Sequence, residues 1–300
     1  MRVIECNRLS KSYERVRAIK DLSLNIEGNK ITGLIGRNGA GKTTLLKMIA
    51  GLLHKTSGEV RVFSEEPFNS LKVSANIIFI DDNLAFPKSF CLGDILEAAD
   101  TFYENWDMSL ARGLLEYFAL HPKQFHENLS KGMQSTFNVI LGISSRCPLT
   151  IFDEPTVGMD GAVRKDFYRA LLKDYVQNPR TIILSSHLLN EIENILEDIL
   201  LLNKGEKCLH MPITDLKELA VGLRGKKEIV DELTKDMETY HQETLGKDSC
   251  FKVVKNDFSQ IELQHAKKAG IEMLPVAAED IYIYLTSGDK GGIDDVFNRS

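Results

Sequence analysis

Gly36-Arg37-Asn38-Gly39-Ala40-Gly41-Lys42-Thr43 is the stretch that most restricts what this chain can become. It fits the spacing Gly-x-x-x-x-Gly-Lys-Ser/Thr and lies between a predicted strand, Ile31 to Ile35, and a predicted helix, Thr43 to Leu53. Glycines let successive backbone N–H groups curl round a phosphate with no Cβ in the way, and a helix that begins near Lys42 adds the positive end of its dipole. In such a loop Gly36, Asn38, Gly39, Gly41 and Thr44 form the cradle, Lys42 reaches the β- and γ-phosphates of a nucleotide, and the Thr43 hydroxyl ligates Mg²⁺.

A phosphate cradle needs a second half on another strand. Leu149-Thr150-Ile151-Phe152-Asp153-Glu154 is a short, mostly apolar strand that delivers two carboxylates to its C-terminal edge, where ligands sit in open α/β sheets. Asp153 is suited to hold Mg²⁺ and its waters, and Glu154 to polarise an attacking water as general base. Taken alone, an Asp-Glu-Pro at a strand end is only a turn; beside the glycine loop it becomes half of a nucleotide site. Further strands are expected at Val3 to Cys6, Leu22 to Ile26, Glu59 to Phe63, Ile77 to Ile80, Thr181 to Ser185 and Ile199 to Leu202, with helical patterns between them. Apolar strands alternating with helices imply an α/β domain with a largely parallel sheet.

Three hundred residues suffice for about two domains, and 43% hydrophobic with 27% charged residues is a globular composition that excludes disordered, collagenous and coiled-coil classes. The net charge of −6 lacks the positive field of a dedicated nucleic-acid binder, so no nucleic-acid partner is expected. The N-terminus carries no secretory signal pattern, and no apolar run approaches the roughly 20 residues that a bilayer requires. Five scattered cysteines read as reduced thiols of a cytoplasmic protein. Residues 83–128 are helical in pattern and hold eight aromatics, which marks a helical insertion. The strong motifs stop after Gly205, so the ATPase-type domain is placed at 1–206 and an accessory region at 207–300. The latter mixes a helix (Thr214 to Val221), a strand (Phe251 to Val254), a helix (Gln260 to Ala269) and the run Glu279 to Thr286, a small α+β appendage.

Leu129-Ser130-Lys131-Gly132-Met133-Gln134, about 20 residues before the acidic strand, decides among the many phosphate-loop proteins. It resembles the Leu-Ser-Gly-Gly-Gln signature of the ABC ATPases in a Lys-Gly-Met variant. Tyr13 ahead of the glycine loop, Val157-Gly158-Met159-Asp160 after the acidic pair and His187 after the next strand stand in the order of that family. The resemblance covers residues 1 to about 206. It implies a P-loop NTPase fold of the ABC type, with a mixed, largely parallel core sheet, flanking helices and a helical subdomain at 83–128, and a Mg²⁺-dependent ATPase activity. It further implies that Tyr13 stacks on adenine and His187 contacts the γ-phosphate in cis. Ser130 and the Gly132 N–H then bind the γ-phosphate of ATP held by the opposite subunit, and Asp160 belongs to the loop that links the two sites. Simpler readings stand beside these: Tyr13 as a strand-end tyrosine, His187 as a helix-start histidine, Ser130 as an N-cap. The family usually has Gln after the strand near residue 80; by spacing Asp82 takes its place, where it can reach Mg²⁺ through water. After the signature the usual Gln-Arg is Ser135-Thr136, which removes a helix-borne cation.

What the resemblance implies is an ATP-hydrolysing subunit that pairs with a second copy of itself or a homologous ATPase subunit. It would drive a separate transmembrane subunit received by 83–128, through exposed aromatics such as Trp106, and would work on the inner face of the cell membrane. The Lys-Gly-Met signature, Phe102 to Asp107 and Ala278 to Tyr282 resemble bacterial exporter subunits of the antibiotic-resistance and peptide-export type, with an importer as the alternative. ABC ATPases of repair, chromosome organisation or translation are a different class: they insert long coiled coils or carry two ATPase halves, whereas 87 residues without heptads separate Thr43 from Ser130 here. Asn203-Lys204-Gly205-Glu206 nearly reproduces the guanine-reading Asn-Lys-x-Asp of GTPases, but ends in Glu and sits in a chain with the ABC signature.

Overall fold

Two long strands joined by a two-residue turn open the fold: β1 (Arg2–Tyr13) pairs antiparallel with β2 (Val16–Glu27) from Arg2 opposite Glu27 to Tyr13 opposite Val16. They outrun the expected strands because bulges near Cys6, Leu9 and Lys11 break the alternation of side chains without ending the ladder. β3 (Ile31–Ile35) is buried along its whole length and ends in the glycine loop, from which α1 (Lys42–Ile49) starts. β4 (Ser57–Val62) returns along the other side of β1, giving a three-stranded antiparallel sheet. α2 (Leu71–Ala75), capped by Ser70, then leads into β5 (Ile77–Ile80).

The computed structural model describes residues 2–286. Between β5 and the acidic strand lie α3 (Leu92–Phe102), α4 (Met108–Tyr117), a 3₁₀ turn at His126–Asn128 and α5 (Lys131–Ser144), capped by Ser130. β6 (Leu149–Asp153), α6 (Gly161–Gln177), β7 (Thr181–Ser186), α7 (Leu189–Ile192), β8 (Asp198–Asn203) and β9 (Glu206–Pro212) complete this part. Its second sheet has six strands in the order β5-β6-β7-β3-β8-β9, and β5, β6, β7, β3 and β8 run parallel. Parallel strands buried on both faces need apolar runs, which Ile77–Ile80, Leu149–Phe152 and Ile199–Leu202 supply. α1 touches β2, β4 and β6, so its Leu45, Leu46 and Ile49 share one core with Ile4, Ile26 and Val62 of the first sheet and Ile151, Ile183 and Leu200 of the second. Trp106 is half-buried and stacks on Tyr103, whereas Phe102 (76% exposed), Tyr117 (64%) and Phe125 (39%) are exposed aromatics of the helical insertion. The reading of Trp106 as exposed is thus corrected: the loop between α3 and α4 folds it back.

The chain divides between His210 and Met211, a few residues beyond the boundary expected near 206, because the β8–β9 hairpin carries the first unit past it. The second unit begins with α8 (Ile213–Glu218), shorter than the helix expected to run to Val221. Val221 instead belongs to β10 (Ala220–Lys226), where Gly222 lies against the Phe251 ring and a helix would bury no continuous face. α9 (Lys227–Leu233), β11 (Thr239–Leu245), β12 (Ser249–Lys255), α10 (Gln260–Lys268), β13 (Glu272–Pro275) and α11 (Ala278–Thr286) follow. The antiparallel order β11-β12-β10-β13, with helices after the first and third strands, is the split βαβ of ferredoxin-like folds. Val221, Leu223, Val230, Cys250, Val254, Ala266 and Ile271 give the unit its own core. Residues 287–300 of the expected accessory region lie outside the described residues.

Candidate functional site

Parallel strands bring the C-terminal ends of β3, β6 and β7 side by side, with Ile35 opposite Ser186 and Asp153 opposite Ser185. The glycine loop leaves β3 there, and Gly41 holds a φ of 103° at the N-cap of α1, an angle that a side chain would resist. Lys42 is buried (6% exposed) and its ammonium donates to the Gly36 carbonyl at 2.6 Å while standing 3.1 Å from Glu154 Oε1. Glu154 Oε2 meets His187 Nδ1 at 2.8 Å. Asp153 Oδ1 accepts a hydrogen bond from Ser185 Oγ at 2.5 Å, and the same oxygen of Ser185 accepts the Glu154 N–H at 2.9 Å. Burial pushes the Asp153 carboxyl above the ordinary aspartate range, against the pull of hydrogen bonds from Ser185 and Thr43 and of the Lys42 cation.

The structure therefore joins Gly36, Lys42, Thr43, Asp153, Glu154 and His187 in one network. Beside it runs a groove of about 550 Å³, lined by Asn38, Gly39, Gly41, Lys42, Thr43 and Thr44 of the loop, by Val16, Arg17 and Lys20 of β2, and by Glu154 and Lys204. A larger hollow of about 700 Å³ between α4 and α6 contains none of the expected site residues. Tyr13 lies at the rim, 45% exposed with the Lys11 ammonium 5.0 Å from its ring; its cross-strand partner Val16 lines the groove and Tyr13 itself does not.

Ser130, Gly132 and Asp160 form a second group outside that lining. Ser130 caps α5 by accepting the Met133 N–H, and Asp160 caps α6 by accepting the Ala162 and Val163 N–H groups. The two caps are pressed together: a Cβ on Gly132 would stand 2.3 Å from the Gly158 carbonyl oxygen, and Ser135 Oγ donates to the Val157 carbonyl at 2.7 Å. Asp82 faces this group, its carboxylate 3.4 Å from Lys131 Nζ, while Asp81 points to Lys47 on α1 at 3.5 Å. Ser185 and Asp81 are functional neighbours that the sequence reading left without a role, and Ser135, noted there only for the cation it replaces, is a third. Two serines ending the Thr181 strand directly before His187 were the available signal for the first; nothing local marked the others. The five cysteines are all free.

The family model for ABC transporters matches residues 19–157. A bacitracin transport ATP-binding protein of Enterococcus faecalis is 30% identical over 231 residues, 71% of this chain and 70% of that protein. A zinc uptake system ATP-binding protein of Listeria innocua is 30% identical over 216 residues, 68% of this chain and 83% of that protein. Among solved structures, a dimeric ATP-binding cassette in a post-hydrolysis state with ADP and Pi superposes with a TM-score of 0.60 at 20% identity, over 70% of this chain and 98% of that one. Phosphate loop, acidic strand end, signature helix and these relatives agree: the chain belongs to the ATP-binding subunits of ABC transporters and is an ATP-hydrolysing enzyme.

Proposed function

We propose that two copies of this chain, or one with a homologous subunit, close around two ATP molecules and so drive a separate transmembrane subunit, in the direction of export of a drug, peptide or antibiotic. One observation carries the dimer: Ser130, Gly132 and Asp160 flank the place where the start of α5 is packed on the 157–159 turn, outside the groove that holds Lys42 and Glu154, so a phosphate in that groove is left for a second copy to cover. Within one copy, Glu154 is the general base and His187 holds its second oxygen in place. Lys42 neutralises Glu154 until nucleotide phosphates, of higher charge, compete for the same ammonium; its transfer frees the carboxylate to accept a proton from the attacking water. Thr43 and Asp153 are hydrogen-bonded hard oxygen donors beside the cradle and fit Mg²⁺, whereas Asp82, expected to join them through water, is engaged by Lys131. When bound, Mg²⁺ neutralises charge on the β- and γ-phosphate oxygens.

An apolar hollow of about 270 Å³, lined by Ile80, Leu84, Phe90, Ile95, Phe102 and Tyr103, supports the reading of the helical insertion as the seat of the transmembrane partner, with the chain working at the inner face of the membrane through that partner. Export rests on the Lys-Gly-Met signature and the bacitracin transport relative; the zinc uptake relative favours import as the second reading. The scheme is tested by Glu154→Gln, which keeps the shape of the base and weakens its proton affinity. With saturating Mg-ATP this variant runs as a dimer in sedimentation velocity and hydrolyses at least about 100-fold more slowly. A Glu154→Gln protein that stays monomeric with Mg-ATP bound sinks the dimer.

A further inference from the structure

We propose that Lys204 is a nucleotide-binding residue, which from the β8–β9 turn contacts the α-phosphate and ribose end of ATP; this rests on the groove beside the glycine loop being the ATP site. The turn consists of Lys204 and Gly205 alone, with φ of 49° and 83°, the type I′ geometry that tight hairpins require. Asn or Gly is the usual first residue of such a turn, so a lysine stands here against backbone preference. The turn is also anchored. The Gly205 N–H donates to the Ala40 carbonyl of the glycine loop at 3.0 Å, and the Gly205 carbonyl accepts the Lys20 N–H at 2.9 Å. A Cβ on Gly205 would stand 2.5 Å from the Ala18 carbonyl oxygen, so the hairpin is seated directly on β2 and the loop.

Lys204 thereby joins the groove lining beside Val16, Arg17 and Thr44. It is exposed, and among the described residues it enters no ion pair or hydrogen bond of its side chain, whereas its neighbour Lys20 is held by Glu206 at 3.1 Å. Lys42, Glu154 and His187 mark the end of the groove where the γ-phosphate reacts. The Lys204 turn rests on Ala18 of β2, the strand whose Val16 lines the groove and pairs with Tyr13, which makes this the nucleoside end on the reading that Tyr13 takes the adenine. An unpaired ammonium there meets the phosphate nearest the ribose and gains a charge-assisted hydrogen bond. The near-match to the guanine-reading motif thus acquires a place at the nucleotide, through charge and not through base readout.

Because the α-phosphate is common to ATP and ADP, loss of the ammonium weakens both alike. The experiment is calorimetric titration of the full chain with Mg-ATP and Mg-ADP for wild type, Lys204→Asn, Lys204→Arg and Lys42→Ala. Asn suits the left-handed turn, so it removes the charge and keeps the hairpin. Lys204→Asn is expected to raise both Kd values by the same factor, about fivefold, and Lys204→Arg to stay within about twofold of wild type. Unchanged Kd values in Lys204→Asn, or a loss confined to ATP, overturn the assignment. If Lys42→Ala also leaves ATP binding unchanged, it is the reading of the groove that fails; if Lys42→Ala binds weakly and Lys204→Asn normally, only Lys204 is wrongly placed.

Discussion

One backbone angle separates the work of two neighbouring carboxylates. Asp153 ends β6 in extended conformation and stays buried against Ser185, while Glu154 turns to a φ of 50° and swings its side chain toward Lys42 and His187. Both residues were legible in the sequence, since an apolar strand ending in two acids after a glycine loop has few other meanings. Ser185, which holds both, was not, because strand pairing and not chain order brings it there. His126 is another residue whose surroundings come from afar. Its Nε2 lies 3.0 Å from Asn138 Oδ1, and Asn138 Nδ2 points to the Asp81 carbonyl, which fixes the amide and puts the imidazole proton on Nε2. Phe86 and Phe137 pack on the ring, so burial holds its pKa below the ordinary 6.5, helped by the nearby Lys131 cation and opposed by the Asn138 hydrogen bond. The unfolded chain then takes up the proton first: stability is full above about pH 6.5, falls as pH drops below it, and levels off beneath the folded-state pKa. Urea unfolding at pH 7.5 and 5.5 checks this, with His126→Gln losing less stability between the two than wild type; equal losses remove His126 as the cause.

At the scale of elements, a single carboxylate ties the end of α6 to its neighbours. Asp174, 3% exposed at the side chain, accepts from Arg180 at 2.7 Å and from Arg146 at 3.0 and 3.1 Å, and Arg146 also meets Asp107, the N-cap of α4, at 2.9 Å. Arg180 is buried as well and donates to the Ile143 carbonyl of α5. Replacing Asp174 with Ala leaves the Arg180 cation buried without a counter-charge, which costs about 3–5 kcal/mol, far more than an exposed pair such as Asp82 with Lys131. The midpoint of urea unfolding of the ATPase unit in Asp174→Ala reports this; a loss below about 1 kcal/mol shows that water replaces the carboxylate. No sequence pattern announced the cluster, because its four members are scattered between residues 107 and 180, with only Asp174 inside a helix or strand. Periodicity served where one face was buried, as in α1 and the parallel strands. It failed at β10, where Leu216, Leu219 and Val221 mimic a helical stripe that the Gly222 contact with Phe251 forbids.

On the scale of the whole molecule, two compact units, each with an apolar core, decide how the chain comes apart. The first unit contains every residue of the nucleotide groove and of the Ser130, Gly132 and Asp160 group, and the ferredoxin-like unit holds a separate apolar cluster around Leu223, Val230 and Val254. The family model lies wholly within the first, ending at residue 157, whereas the second unit was readable from sequence only as a mixed α+β region, since its long-range strand order leaves no local trace. A chain with two cores is expected to unfold in two steps, not one. A fragment ending at Pro212 keeps β9 and hence the whole six-stranded sheet, so it should fold and bind Mg-ATP within about threefold of the full chain, a change below about 0.7 kcal/mol. With Glu154→Gln added, the fragment should still form the ATP-dependent dimer, because the groove and the surfaces proposed to cover it all lie before the cut. Sedimentation velocity with and without Mg-ATP decides. A fragment that binds ATP and stays monomeric, while full-length Glu154→Gln dimerises, makes the ferredoxin-like unit the element that holds the dimer together.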